Sequence, residues 1–224
     1  MVLLFDIDGT LLMAPKLGRV HFESAMQAQC GAELSTEGVR FAGRTDRSLA
    51  RELLGMAGIA EPDHVMDRVL EDYAARFEAA IRPQDVEVLP GVRALLDRLG
   101  GHDHLSLGLL TGNVERTGWA KLRAADLHGR FGFGAFGSDH EDRNELPRFA
   151  RDRAARSLGR DVTFGELVVI GDTAHDVACG KAVGAVTVGV CTGYVSRQSL
   201  VEAGPDLLLE DFTRPDTLLD LVGA

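Results

Sequence analysis

The chain has 224 residues, 45% of them hydrophobic, which is enough for a full α/β core and too apolar for a disordered chain. Its formal net charge of -10 repels a phosphate backbone and no basic run interleaves with aromatics, so nucleic acid is excluded as a partner and a small molecule is expected. Three cysteines, Cys30, Cys179 and Cys191, show no Cys-x-x-Cys spacing, which predicts reduced thiols in a cytoplasmic protein.

The first expected element is a strand, "VLLFDI", that carries Asp6 and Asp8 to its tip. These acids break the apolar run and no basic region precedes it, so neither a signal peptide nor a membrane span is expected. The two carboxylates share parity, and continued extended geometry points both to one side. So close together they repel each other and call for a cation or a shared proton. Magnesium, which takes oxygen ligands, would relieve that repulsion. Gly9 permits a sharp turn after them, and the Thr10 hydroxyl can tie the turn down.

Between Pro15 and Ile81 no strand is expected. "RVHFESAMQAQCG", "TDRSLARELLGMAG" and "PDHVMDRVLEDYAARFEAAI" carry apolar residues at helical spacing, with Val65, Val69, Tyr73 and Phe77 as a packing stripe. They read as a helical insertion between the first and second strands. "RPQDVEVLPG" is the return linker, its backbone fixed by Pro83 and Pro90.

From about Leu89 onward, short apolar runs alternate with amphipathic segments. The expected strands are "LSLGLL", "FGFGAF", "LVVIGD", "AVTVGV" and "DLLLED", separated by the helices "PGVRALLDRLGG", "VERTGWAKLRAADLHG", "ELPRFARDRAARSLG" and "TAHDVACGKAVG", with "RPDTLLDLVGA" at the end. This predicts an α/β fold, a doubly wound parallel sheet over residues 1–14 and 86–224, with residues 15–85 as an all-helical insertion. Ligands in such sheets bind outside the carboxyl ends of the strands.

Two further strand tips carry polar chemistry. "LSLGLL" ends in Thr111, Gly112 and Asn113, a hydroxyl, a bare backbone and an amide that can hydrogen-bond a phosphate. The same residues also suit an ordinary turn and helix cap. "LVVIGD" ends in Asp172, with Asp176 one helical turn later; Asp172 is a candidate metal ligand or the cap of the following helix. "GFGAFG" opens no helix and is read as a glycine-rich strand rather than a dinucleotide loop. His140 in "DHED" is expected to face solvent, and His175 to sit at a helix end. No Gly-x-Ser-x-Gly elbow or P-loop is present, which excludes serine hydrolase and P-loop chemistry.

Taken together, the chain resembles the haloacid dehalogenase-like hydrolase superfamily, in its phosphoglycolate phosphatase-like branch with a helical cap. Asp6, Asp8, Gly9 and Thr10 match the first motif, Thr111 the second, and Gly171, Asp172 and Asp176 the fourth. The third motif departs from the usual Lys-Pro: the region reads "GSDHEDRNELPRFA", where Arg143 is the candidate cation. Arg148 and Lys121 are the alternatives, Lys121 being expected on an exposed helix face. "AGRTDRSLARELL" also resembles a segment of such caps, and its Arg44, with Arg40 and Arg47 nearby, is a candidate contact for an anionic part of the substrate.

The resemblance implies that Asp6 is the nucleophile and forms an aspartyl-phosphate, while Asp8 protonates the leaving group and then activates water. It implies Mg2+ held by Asp6, the Asp8 carbonyl oxygen and Asp172, with Asp176 close by, and phosphoryl oxygens held by Thr111, the neighbouring amides of Gly9, Thr10, Gly112 and Asn113, and Arg143. Dehalogenating relatives lack an acid at the Asp8 position, so phosphate chemistry on a small anionic phosphorylated metabolite is expected. A phosphomutase of the same superfamily, or a binding or regulatory protein that has lost the chemistry, are the alternatives. Monomer and homodimer are both compatible with the sequence.

Overall fold

Four apolar residues open the chain as β1 (Val2–Phe5), buried throughout. Leu3 and Phe5 enter one core and Val2 and Leu4 the other, as a strand covered on both faces requires. The computed structural model describes residues 1–15, 17–31, 36–59 and 62–224. After β1 come β2 (Leu12–Met13) and three helices, α1 (Leu17–Cys30), α2 (Asp46–Met56) and α3 (Pro62–Ala80). The chain returns through β3 (Glu87–Val88), antiparallel to β2.

The rest alternates: α4 (Val92–Leu99), β4 (Ser106–Thr111), α5 (Glu115–Ala124), β5 (Phe133–Phe136), α6 (Leu146–Leu158), β6 (Leu167–Gly171), α7 (Ala174–Ala182), β7 (Val186–Val190), α8 (Arg197–Ala203), β8 (Leu207–Leu209) and α9 (Asp216–Val222). Among the described residues the main sheet has six strands, all parallel, in the order β5-β4-β1-β6-β7-β8. The chain winds outward from β1 through β4 to β5, then crosses to β6 and winds the other way. The tips of β1, β4 and β6 therefore meet where the winding reverses, the place where such sheets bind ligands.

One face of the sheet packs Phe5, Ile7 and Leu109 against α4, α5 and α9, and the other packs Leu4, Leu110 and Val169 against α6 and α7. The helices α1 to α3 bury a core of their own, with Phe22, Met26, Leu53, Tyr73 and Phe77 at its centre. Val114 and Ala120, at the start and in the middle of the α5 segment, belong to that helical core too, so α5 serves both layers. The packing stripe on α3 stands as expected, with Val69, Tyr73 and Phe77 buried. The two-residue ladder that pairs β2, before the helical insertion, with β3 in the return linker was not foreseen, nor was α8. Among the described residues, no helix is long and apolar enough to cross a membrane.

Candidate active site

Asp6 follows β1 directly, and its N–H donates to Ile170 O at 2.9 Å, extending the ladder one residue past the strand. Its Oδ1 accepts the Ile7 N–H at 2.8 Å. Extended geometry does not persist beyond this point: the chain bends at Ile7, so the shared side expected for Asp6 and Asp8 becomes two separate sets of partners. Gly9 turns the backbone at φ +79°, and a Cβ there would lie 2.4 Å from Asp172 Oδ2. The Thr10 hydroxyl does not close the turn. It donates to Asp172 Oδ1 at 3.3 Å, and the turn is held by the Gly9 N–H on Leu12 O and the Leu11 N–H on Ile7 O.

Arg143 reaches this point from the segment after β5. It is 6% exposed, and its Nη2 lies 3.1 Å from Asp6 Oδ2 and 2.5 Å from Asp176 Oδ1. Its Nη1 donates to Gly43 O at 3.3 Å, so one planar group spans the sheet tip and the loop before α2. Arg148, by contrast, is exposed and paired with Glu145. Burial works against the Arg143 charge, yet Asp176 and Asp6 outweigh it and hold the guanidinium well above its ordinary value.

The helix after β6 is capped by Thr173, whose side chain accepts the Asp176 N–H while Asp176 Oδ2 accepts from the Thr173 N–H at 2.9 Å and hydroxyl at 2.7 Å. This frees Asp172 from capping and engages both Asp176 oxygens. Asp172 instead fits between two bare backbones, since a Cβ on Gly193 would fall 1.6 Å from its Oδ2.

Carboxylate oxygens of Asp6, Asp172 and Asp176 lie within 4.8 Å of one another, all buried. Burial pushes Asp172 up to about 9, with Asp176 and Asp6 adding to it, and pushes Asp6 up to about 6 against the pull of Arg143. Once all three are ionised, these carboxylates facing one guanidinium leave two negative charges, which a divalent cation would balance. An all-oxygen donor set suits a hard cation such as Mg2+.

Asp8 faces the same cleft with partners of its own. Its Oδ2 accepts from Asn113 Nδ2 at 2.7 Å and from Lys121 Nζ at 2.6 Å. Lys121 was expected on an exposed helix face; it is 5% exposed and faces the site, because it falls seven residues after Val114 and three after Gly118 on the buried stripe of α5. That spacing was the available signal. Asn113 also donates to Thr111 Oγ1 at 2.8 Å, which gathers the second motif around Asp8.

The loop entering α2 closes this cleft from above. Gly43 packs on His175 and Gly112 on the Arg44 carbonyl, where added Cβ atoms would meet their neighbours at 2.5 and 1.9 Å. The Thr45 hydroxyl donates to Glu141 O at 2.6 Å, and the Asp46 N–H donates to Gly112 O at 2.7 Å. Asp46 Oδ2 in turn accepts the Val114 N–H at 2.8 Å. Sequence reasoning missed this buried acid, which reads as ordinary first-turn chemistry of α2.

Asp6, Asp8, Thr111, Gly112, Asn113, Arg143 and Asp172 all face a cleft of about 1040 Å³, together with Arg40 and Arg44. Arg44 pairs with Glu52 and Arg47 with Asp67, the latter away from the cleft, whereas Arg40 has no hydrogen bond or ion pair among the described residues. His140 is exposed and accepts the Asp142 N–H in its own loop.

Known proteins place this geometry in context. A phosphoglycolate phosphatase from Salmonella paratyphi A is 25% identical over 226 residues, spanning 93% of this chain and 88% of that protein. The pyrophosphatase PpaX of Bacillus pumilus is 25% identical over 225 residues, spanning 99% and 95%. The solved beta-phosphoglucomutase of Clostridium difficile shares the fold with a TM-score of 0.71 at 15% identity, over 99% of this chain and 96% of that one. A family model described as haloacid dehalogenase-like hydrolase matches residues 3–190, which include the acids at the tips of β1 and β6, Arg143 and the helices between β2 and β3. This chain belongs to the haloacid dehalogenase-like hydrolase family.

Proposed function

We propose that the chain is a magnesium-dependent phosphatase that hydrolyses a small anionic phosphomonoester, phosphoglycolate-like or sugar-phosphate-like, in the cytoplasm. The observation that carries this reading is the division of labour between two neighbouring acids. Asp6 sits in the buried triad with Arg143, and Asp8 sits outside it, held through one oxygen by Asn113 and Lys121. An alkoxide leaves with a proton whereas a halide needs none, so a second acid beside the nucleophile suits phosphate ester chemistry.

Asp6 attacks phosphorus in line, the bond to the ester oxygen breaks, and Asp8 gives that oxygen a proton; Asp8 then takes a proton from the water that hydrolyses the aspartyl-phosphate. Arg143 and the Thr111–Asn113 backbone hold phosphoryl oxygens as charge shifts. Asp6, Asp172 and the Asp8 carbonyl would hold Mg2+, with Asp176 orienting Arg143 beside it. The metal supplies charge neutralisation to the incoming phosphate dianion. The helices over residues 15–85 act as a cap that closes the cleft and excludes water, and Arg44, with Arg40 beside it on the cleft wall, meets the anionic part of the substrate.

The test is phosphate release from a panel of phosphomonoesters, with and without magnesium, for the native chain and Asp6→Asn. Metal-dependent release that vanishes in a folded variant supports the reading. Near-native release by Asp6→Asn sinks it, and turnover only with a bisphosphate activator moves the assignment to a mutase.

A further inference from the structure

Lys121 is a buried ammonium that the proposed mechanism does not use, and its surroundings give it a specific task. Its Nζ donates to Asp8 Oδ2 at 2.6 Å and to Asn113 Oδ1 at 2.6 Å, and it lies 5.5 Å from the centre of the Phe77 ring on α3. An ammonium has donors and no acceptor, so Asn113 must turn its oxygen to Lys121. The Asn113 amide nitrogen then has to face Asp8 and Thr111, which is where it bonds. The network has one consistent orientation, and Lys121 sets it.

The consequence falls on Asp8. Both donors converge on Oδ2, and Oδ1 has no hydrogen-bond partner among the described residues. We propose that Lys121 is a positioning residue for Asp8: with Asn113 it occupies one carboxyl oxygen, so that Oδ1 alone exchanges the proton with the leaving group and with water. In the first half-reaction the proton on Oδ1 passes to the ester oxygen as its bond to phosphorus breaks and the bond to Asp6 forms. In the second, Oδ1 takes the proton of the attacking water while the bond between phosphorus and Asp6 breaks. Phe77 covers the ammonium from the helical layer, so the arrangement is complete only when α3 is seated on α5.

This inference rests on the phosphatase reading, and its test separates the two. The magnesium-loaded native protein, Lys121→Met and Lys121→Gln are compared on an alkyl phosphate, whose leaving group needs a proton, and on p-nitrophenyl phosphate, whose leaving group does not. The readout is kcat/KM, which covers steps only up to departure of the alcohol. Lys121→Met is expected to lose about 100-fold on the alkyl ester and less than about 5-fold on the aryl ester, in line with the worth of a general acid. Lys121→Gln, which keeps a donor without the charge, falls between native and Lys121→Met with the same preference. Equal losses on both esters overturn the proposal and leave Lys121 a structural cation, as does failure of both variants to fold. A native protein inactive on both esters overturns the phosphatase reading and takes this proposal with it.

Discussion

Replacing Asp46 with asparagine separates the charge of this residue from its shape. Its Oδ2 accepts the Val114 N–H at 2.8 Å, a bond that an amide oxygen can also accept, and its own N–H on Gly112 O is untouched by the change. Burial pushes the acid from an ordinary 3.8 up to about 6, opposed by the Val114 N–H and by Lys121. Because the folded value lies above the unfolded one, the stability this acid contributes is fully present below the unfolded value and is lost as pH rises through the folded one. A rise of about two units is worth about 3 kcal/mol between those limits. Asparagine has no charge to bury, so Asp46→Asn exceeds the native protein at pH 8 by up to that amount. For a chain of this size that is roughly 6–12 °C in melting temperature. The advantage shrinks as pH falls toward 4. Melting curves of the metal-free native and variant proteins from pH 4.5 to 8 measure it, and comparing the two cancels the other acids. A variant less stable than native at pH 8, or a gap that does not narrow on acidification, refutes the reasoning.

Arg143→Met leaves Asp6 and Asp176 buried without their cation and is expected to destabilise the metal-free protein at pH 7 by about 3–5 kcal/mol; denaturant melts showing under about 1 kcal/mol would contradict the ion-pair account. Gly193→Ala removes no functional group, yet its Cβ must push the Asp172 carboxylate aside, so a shift of about 1 Å should cost on the order of 100-fold in kcat/KM and weaken magnesium titration in a protein that still folds. Because Asp6 and Asp172 are raised to about 6 and about 9, metal binding must displace protons, and the rise in melting temperature caused by magnesium should grow from pH 6 to pH 9. A rise independent of pH would place the metal elsewhere.

The sheet was legible because its strands are covered on both faces and read as apolar runs: "VLLF" and "LVVIG" are buried at every position. The β2–β3 ladder was not, since two residues cannot display a period of two. Parity placed Asp6 and Asp8 on one side, and both do face the cleft, but the bend at Ile7 gives them separate partners that parity could not foretell. Asp172 and Thr173 are adjacent, and both residue types cap helices, so sequence alone could not say which one does. Lys121 was hidden for a different reason: a lysine defaults to solvent, and only a carboxylate from another strand tip explains its burial. Arg143, 137 positions from Asp6, was legible only through the pattern of motifs, and it pairs with two of the four acids those motifs named, Asp6 and Asp176.

The helix α5 has a double allegiance. Val114 and Ala120 are interior residues of the helical layer, Leu122 is an interior residue of the sheet layer, and Lys121 sits between them. A hinged roof could lift away from such a floor only by baring its own beams. If the helical layer opens, it would either glide along α5 with Val114 still covered or carry Phe77 away from Lys121. In the second case the mouth would be widest when Asp8 is least well held, so proton transfer through Asp8 would wait until Phe77 is seated again over Lys121.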